Sequence, residues 1–225
     1  MSIAPEVIPA SEALLRQIAR LRPGESFALD RQITTAEFCA CAADEGGSEL
    51  IDGVVYRMPP PTDAHEALAA WLLALLQVYV QEKDLGQVRG GRSGVQTGGA
   101  SVREPDLVFF GRERLSRMTA RGIHGAPDLA VEIVDSADAR RIALAKLAEY
   151  AGIAVAECWV IDLQRREVLV WPAPGGGPPA ESAGRLAPGD VLHSFAIAGF
   201  RLEVDWLFQG PNFPRSLAVA LDLLA

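Results

Sequence analysis

Residues 128–134 read DLAVEIV, and beyond Asp128 this is an apolar run interrupted only by Glu132. Seven residues suit a strand rather than a helix, and a strand apolar on both sides of its alternation is buried on both faces. A sheet containing it must be covered on both sides, so a mixed α/β (α+β) architecture is expected. A second strand is expected over 104–110. Two helices are available as cover. Asp63, with Glu66 three residues on, reads as a capping pair opening a long helix, in which Leu68, Trp71, Leu72, Leu75 and Tyr79 recur at helical spacing. The other helix, over about 138–151, follows the 128–134 strand directly.

The remaining punctuation completes the expected order. Leu14, Leu15, Ile18 and Leu21 among Pro5, Pro9 and Pro23 predict an added N-terminal helix over 1–33, outside the core. Thr34 or Thr35 caps a short helix through Phe38, and Asp52-Gly53 turns a hairpin within 49–58. Glycine-rich 86–100 reads as strands around an open loop, without the lysine and serine or threonine of a nucleotide-binding loop. Strands at 157–162 and 166–171 form a hairpin, 172–179 is a loop, short strands continue from Val191 to Phe208, and 217–224 is a terminal helix. The expected domains are therefore an extension over 1–33, one folded domain over 34–208 and a helical tail over 209–225. With 225 residues, 49% of them hydrophobic, the chain can bury one sizeable core.

The longest apolar stretch, 67–80, is broken by Gln77 and too short to span a bilayer. The N-terminus lacks a basic region followed by an apolar run and a cleavage site, so a soluble cytoplasmic protein is expected. Cys39, Cys41 and Cys158 lack paired metal-ligand spacing and are expected as reduced thiols. A net charge of −8 excludes non-specific coating of nucleic acid. Locally the balance reverses: over 88–122 seven arginines (Arg89, Arg92, Arg103, Arg112, Arg114, Arg117, Arg121) face Glu104, Asp106 and Glu113. The run is either a phosphate-facing patch, with Arg89, Arg92 and Arg103 as nucleic-acid contacts, or a solvated arginine-rich surface.

Alternation puts Asp106 on a face with Val108 and Phe110, and Glu132 on a face with Ala130 and Val134. Two carboxylates on apolar strands require a cation, either an ammonium or a divalent metal such as magnesium. Of the 21 basic residues only Lys83 and Lys146 are lysines. Lys146 shares a helix face with Ile142 and Tyr150, four residues to either side. It either lays its stem along the helix edge and sends its head to water, or turns inward for chemistry.

The order EPDLVFF (104–110), PDLAVEIV (127–134) and KLAEY (146–150) resembles the PD-(D/E)XK nuclease superfamily, and more closely the bacterial Uma-type family of restriction endonuclease-like proteins. TAEF (35–38), ELIDG (49–53), PPPTDAH (59–65) and ECWVID (157–162) extend the likeness over about 33–208. The resemblance implies a restriction-endonuclease-like mixed β-sheet flanked by helices. It implies a metal-dependent endonuclease acting on DNA, with Asp106, Glu132 and the backbone carbonyl of Ile133 as ligands for Mg2+, or Mn2+ in its place. Lys146 would contact the scissile phosphate or the attacking water, Glu49 would be a further site carboxylate, and His65 and Tyr150 are candidate supporting residues. The superfamily's usual lysine position holds Val134, so the lysine must come from the helix, a migration common in this family. Ser48, Ile142 and Asp135 also depart from the family pattern; Asp135 adds a carboxylate for metal or caps the next helix.

Each candidate has a structural alternative. Asp106 after Pro105 can mark a strand's entry, Glu132 can belong to an ion pair, His65 can cap its helix, and Tyr150 can be core; Glu157 and Trp159 read as packing and strand-edge residues. A homo-oligomer, dimer or higher, is expected. The rival to an enzyme is an inactive nuclease-fold protein serving as an oligomerising or partner-binding module. Chemistry on RNA or a small nucleotide is weaker still, since no aromatic-basic stacking motif is present.

Overall fold

A computed structural model describes residues 10–45, 47–91, 93–119, 122–171, 184–215, 218, 219, 222 and 223. The expected strand over 128–134 forms as β10 (Leu129–Val134), buried at every position. With β4 (Gly86–Gly90), β7 (Leu107–Gly111), β11 (Glu157–Asp162), β12 (Glu167–Trp171) and β13 (Gly184–Leu186) it forms a six-stranded sheet in the order β13-β12-β11-β10-β7-β4. Only β10 and β11 run parallel, and the helix between them is their crossover.

Both faces of this sheet are covered, as its apolar strands require. Helix α3 (Asp63–Glu82) packs Leu68, Leu72, Leu75 and Tyr79 against Leu107, Phe109, Leu129, Val131 and Trp159. On the other face α4 (Ala137–Gly152) packs Ala143, Leu147 and Tyr150 against Ala130, Val134, Cys158 and Val160. Each large apolar side chain so buried contributes about 1.5–3 kcal/mol.

The remaining strands divide in a way the sequence reading did not separate. A seven-stranded sheet runs β1-β3-β2-β6-β5-β9-β8, from β1 (Ser26–Phe27), β2 (Ser48–Ile51), β3 (Val54–Arg57), β5 (Val95–Gly98), β6 (Ser101–Arg103), β8 (Met118–Thr119) and β9 (Gly122–Ile123). The β2–β3 hairpin turns through Asp52 and Gly53, both at positive φ, as that dipeptide predicts. Val95 and Ile123 of this sheet pack on Val108 and Phe110 of the other, joining the two. A two-stranded sheet, β14 (Val191–His193) with β15 (Arg201–Glu203), follows, and a 3-10 helix (Val204–Phe208) replaces the strand expected through 208. The loop over 172–179 and half of the terminal helix over 217–224 lie outside the described residues.

Helix α1 (Ala10–Ile18) is not merely added. Leu14 and Ile18 are buried with Ile33, Phe38, Leu50, Val55 and Val102, in a core shared with β2, β3, β6 and α2 (Thr35–Glu45). Among the described residues, no helix is long and apolar enough to cross a membrane. All three cysteines are free.

Candidate active site

Just before β7 begins, Asp106 continues the pairing with β10. Its backbone N–H donates to Val131 O (2.9 Å), and its Oδ2 accepts from the Ile133 N–H (2.6 Å). The carboxylate thus takes the place of the next backbone carbonyl in the ladder. Asp106 lies just before the strand expected to contain it, since β7 begins at Leu107. Pro105 accounts for this, because proline cannot donate to a ladder and sits naturally at a strand's entry.

The other oxygen of Asp106, Oδ1, lies 3.1 Å from His65 Nε2. His65 is in the first turn of α3, but the N-cap is Thr62, whose hydroxyl accepts from His65 N–H (3.4 Å). The capping frame read from Asp63 is therefore one residue late, and the imidazole is free to face Asp106. Burial pushes the His65 pKa down, but the hydrogen bond and charge of Asp106, with Glu66 and Asp135 behind them, hold it above its ordinary 6.5. Its Nδ1 is buried without a hydrogen-bond partner.

Glu132 projects from β10 towards α4. Its Oε2 is 2.9 Å from Lys146 Nζ and its Oε1 accepts from the Tyr150 hydroxyl at 2.6 Å. The spacing of Lys146 and Tyr150, four residues apart, delivers both groups from one helix face to one carboxylate. Lys146 turns inward: it is 4% exposed, and Nζ also lies 2.7 Å from Glu49 Oε1. Val134, at the superfamily's usual lysine position, is packed in the apolar core under α4. Tyr150 is both core and hydrogen-bond donor, so its two readings coincide.

The electrostatics follow from burial. Desolvation pushes the Glu132 pKa up; Lys146 pulls it down, the charges of Asp106 and Glu49 push it up, and it settles at about 7. Burial pushes the lysine's value down, but Glu132 and Glu49 outweigh this and hold it above its ordinary 10.5. Burial and then Glu132 raise the tyrosine well above 10.0.

These groups floor a cleft of about 580 Å³, walled by residues 58–62 on one side and by Asp135, Ala139 and Ile142 on the other. Seven carboxylates line it (Glu49, Glu66, Glu104, Asp106, Glu132, Asp135, Asp138) against the cations of Arg57 and Lys146, a surplus of negative charge that suits a hard divalent ion. Among the described residues, no three His, Cys, Asp or Glu side chains are grouped to hold a metal together. Asp106 and Glu132 both line the cleft, and magnesium commonly binds through one or two carboxylates with water and substrate oxygens. Asp135 does not cap α4, whose N-cap is Ser136; it lines the cleft, and its Oδ2 accepts from the Thr62 hydroxyl at 2.6 Å.

Among the described residues, several arginines of the run have partners within the protein. Arg103 is buried, with NH1 3.0 Å from Glu49 Oε2 and Nε 2.8 Å from Glu149 Oε2, and is an internal counter-ion rather than a nucleic-acid contact. Arg112 pairs with Asp84 and Arg114 with Asp128, Arg117 donates to Ala126 O, and Arg89, although exposed, donates to Gln87 and Val88 O. Arg92 and Arg121 lie outside the described residues. Sequence reasoning missed Glu149, whose partner is 46 residues away on another sheet. The signal that could have found it is its place beside Tyr150, one turn beyond Lys146.

Opposite shifts predict a stability optimum on the acid side of neutrality. Glu132 and His65, raised in the fold, stabilise below their ordinary 4.5 and 6.5, and lose this as pH rises through about 7 and past 6.5 respectively. Glu37, pulled to about 2 by Arg31 and then by Thr34, stabilises above 4.5 and loses this as pH falls towards 2. Glu149 shifts in the same direction: burial pushes it up, but Arg103 prevails. Denaturant titrations should therefore give greater stability at pH 5 than at pH 3 or pH 8; a maximum at pH 8 contradicts these assignments.

The family model Uma2, described as "Putative restriction endonuclease", matches residues 35–205. A solved structure from Anabaena variabilis ATCC 29413, described as a "putative nuclease belonging to DUF820", superposes with a TM-score of 0.64 at 21% identity, over 78% of this chain and 97% of that one. At that identity the likeness shows the fold, and the fold is restriction-endonuclease-like. No curated protein matches the chain.

Proposed function

Since the chain belongs to the Uma2 family, we propose that it is a magnesium-dependent endonuclease hydrolysing phosphodiester bonds at the cleft floored by Asp106, Glu132 and Lys146. One observation carries the reading: the buried ammonium of a helix lysine bridges two carboxylates at the base of an acidic cleft that also takes in Asp106. Asp106, Glu132 and the backbone carbonyl of Ile133 would hold Mg2+, or Mn2+ in its place. A bound divalent ion supplies charge neutralisation at the phosphate and a more acidic water.

The chain's own residues do the rest. Lys146 stabilises negative charge developing on the scissile phosphate or positions the attacking water. Glu49 and Tyr150 fix the lysine and Glu132 in place, and His65 orients Asp106 through the Oδ1 contact. In this reading the substrate is DNA, the compartment the cytoplasm and the active form a homo-oligomer.

Plasmid nicking with magnesium or manganese tests it. Wild type should convert supercoiled plasmid, and Lys146→Ala and Asp106→Ala should each lose at least about a hundredfold. Equal background in all three overturns the reading. The rival, an inactive nuclease-fold module that binds a partner, draws on the internal engagement of Arg89, Arg103, Arg112, Arg114 and Arg117. It gains if calorimetry finds no binding of either metal at millimolar concentration.

A further inference from the structure

Every oxygen of Glu49 is engaged within the protein. Oε1 accepts from the Glu104 N–H at 3.0 Å and meets Lys146 at 2.7 Å, while Oε2 meets Arg103 NH1 at 3.0 Å. The register explains the last contact. Leu50 on β2 is paired with Val102 on β6, so antiparallel geometry sets Glu49 opposite Arg103. The guanidinium directs Nε and NH2 to Glu149, whose Oε2 also accepts from the Thr97 hydroxyl at 2.9 Å.

Lys146 and Glu149 lie one turn apart on α4, so the four residues close a ring of alternating charge: Lys146, Glu49, Arg103, Glu149 and back to the helix. The lysine and the Glu104 amide both hold Oε1 of Glu49, and a planar guanidinium fork anchored on Oε2 fixes the carboxylate from its far side. Arg103 does not line the cleft, whereas Lys146 does, so the guanidinium is not placed to touch a substrate phosphate. We propose that Arg103, backed by Glu149, is a positioning residue that acts through Glu49 to hold the Lys146 ammonium at the floor of the cleft. The proposal rests on the nuclease reading for its catalytic meaning, but the position of the ammonium can be read without any cleavage.

The chain's two lysines make the measurement clean. In full-length protein labelled with 15N-lysine, the ammonium spectrum at one neutral pH should show Lys146 as a slowly exchanging signal, with exposed Lys83 as the internal reference. Arg103→Met and Glu149→Gln should each speed exchange at Lys146 by about tenfold or more, the worth of one charged hydrogen bond, and Arg103→Lys should recover part of the loss. In nicking assays kcat should fall about tenfold with KM unchanged, whereas an arginine that touched phosphate would raise KM.

If Arg103→Met does not fold, Glu149→Gln, a change at a half-buried side chain, decides the question. Unchanged Lys146 exchange in the folded variants overturns the proposal. A wild type that cleaves nothing overturns the nuclease reading instead, and leaves the positioning role to be decided by the spectra.

Discussion

Replacing Lys146 with methionine is expected to lower the unfolding free energy by about 3–5 kcal/mol at pH 8. Methionine matches the stem but removes the ammonium that bridges Glu49 and Glu132, both almost completely buried. Glu49 keeps Arg103 and the Glu104 amide, so the cost falls mainly on Glu132, left with the Tyr150 hydroxyl alone. The loss should depend on pH in a defined direction. Glu132 already sits at about 7 against an ordinary 4.5, and without the lysine that pulls it down its value rises further. A carboxyl raised in the fold stabilises below its unfolded value and loses that stability as pH rises through its folded one. The variant's deficit should therefore be small at pH 5, where Glu132 takes up a proton, and largest at pH 8. Urea titrations at the two pH values check it; a deficit equal at both, or below about 1 kcal/mol throughout, would show that Lys146 is not the counter-ion of this carboxylate.

The second large effect lies outside the cleft. Glu157, at the start of β11, is fully buried, and its two oxygens serve four donors: Trp159 Nε1 at 2.8 Å, Ser194 Oγ at 2.7 Å, Phe195 N at 2.9 Å and Ala196 N at 2.8 Å. It ties the turn after β14 to the central sheet, a larger role than the packing and edge function expected of it. Glu157→Leu should cost about 2–4 kcal/mol, because the buried Trp159 indole and three part-buried donors lose their acceptor together. Glu157→Gln keeps one acceptor oxygen and should cost about half as much. Denaturant melts give the totals, and amide exchange at Phe195 and Ala196 localises them. A leucine variant as stable as wild type would mean that the turn finds other acceptors.

The legible parts of this fold were those with a strong local period. The doubly buried run of β10, the long stripe of α3, the Asp52-Gly53 turn and the stripe carrying Lys146 and Tyr150 each depend on residues close in the chain. Strands of two to four residues carry no such period, and for that reason the division into two main sheets could not be read. The apolar stripe of α1 was visible, but its destination was not, since Leu14 and Ile18 meet partners as distant as Val102. At the site the residue types were readable and their pairings were not. Strand alternation brought Glu132 to the side of the sheet that α4 covers, but nothing local says that Glu49 comes from another sheet or that Arg103 turns to Glu49 and Glu149.

Glu49 stands on the seven-stranded sheet and Glu132 on the six-stranded one, and the Lys146 ammonium lies 2.7 Å from the first and 2.9 Å from the second. The site is therefore a joint. Rotation of one sheet against the other changes the gap between the two carboxylates by the same movement. The two sheets pack on each other through Val95 and Ile123 against Val108 and Phe110, and none of these four side chains lines the cleft whose floor both sheets supply.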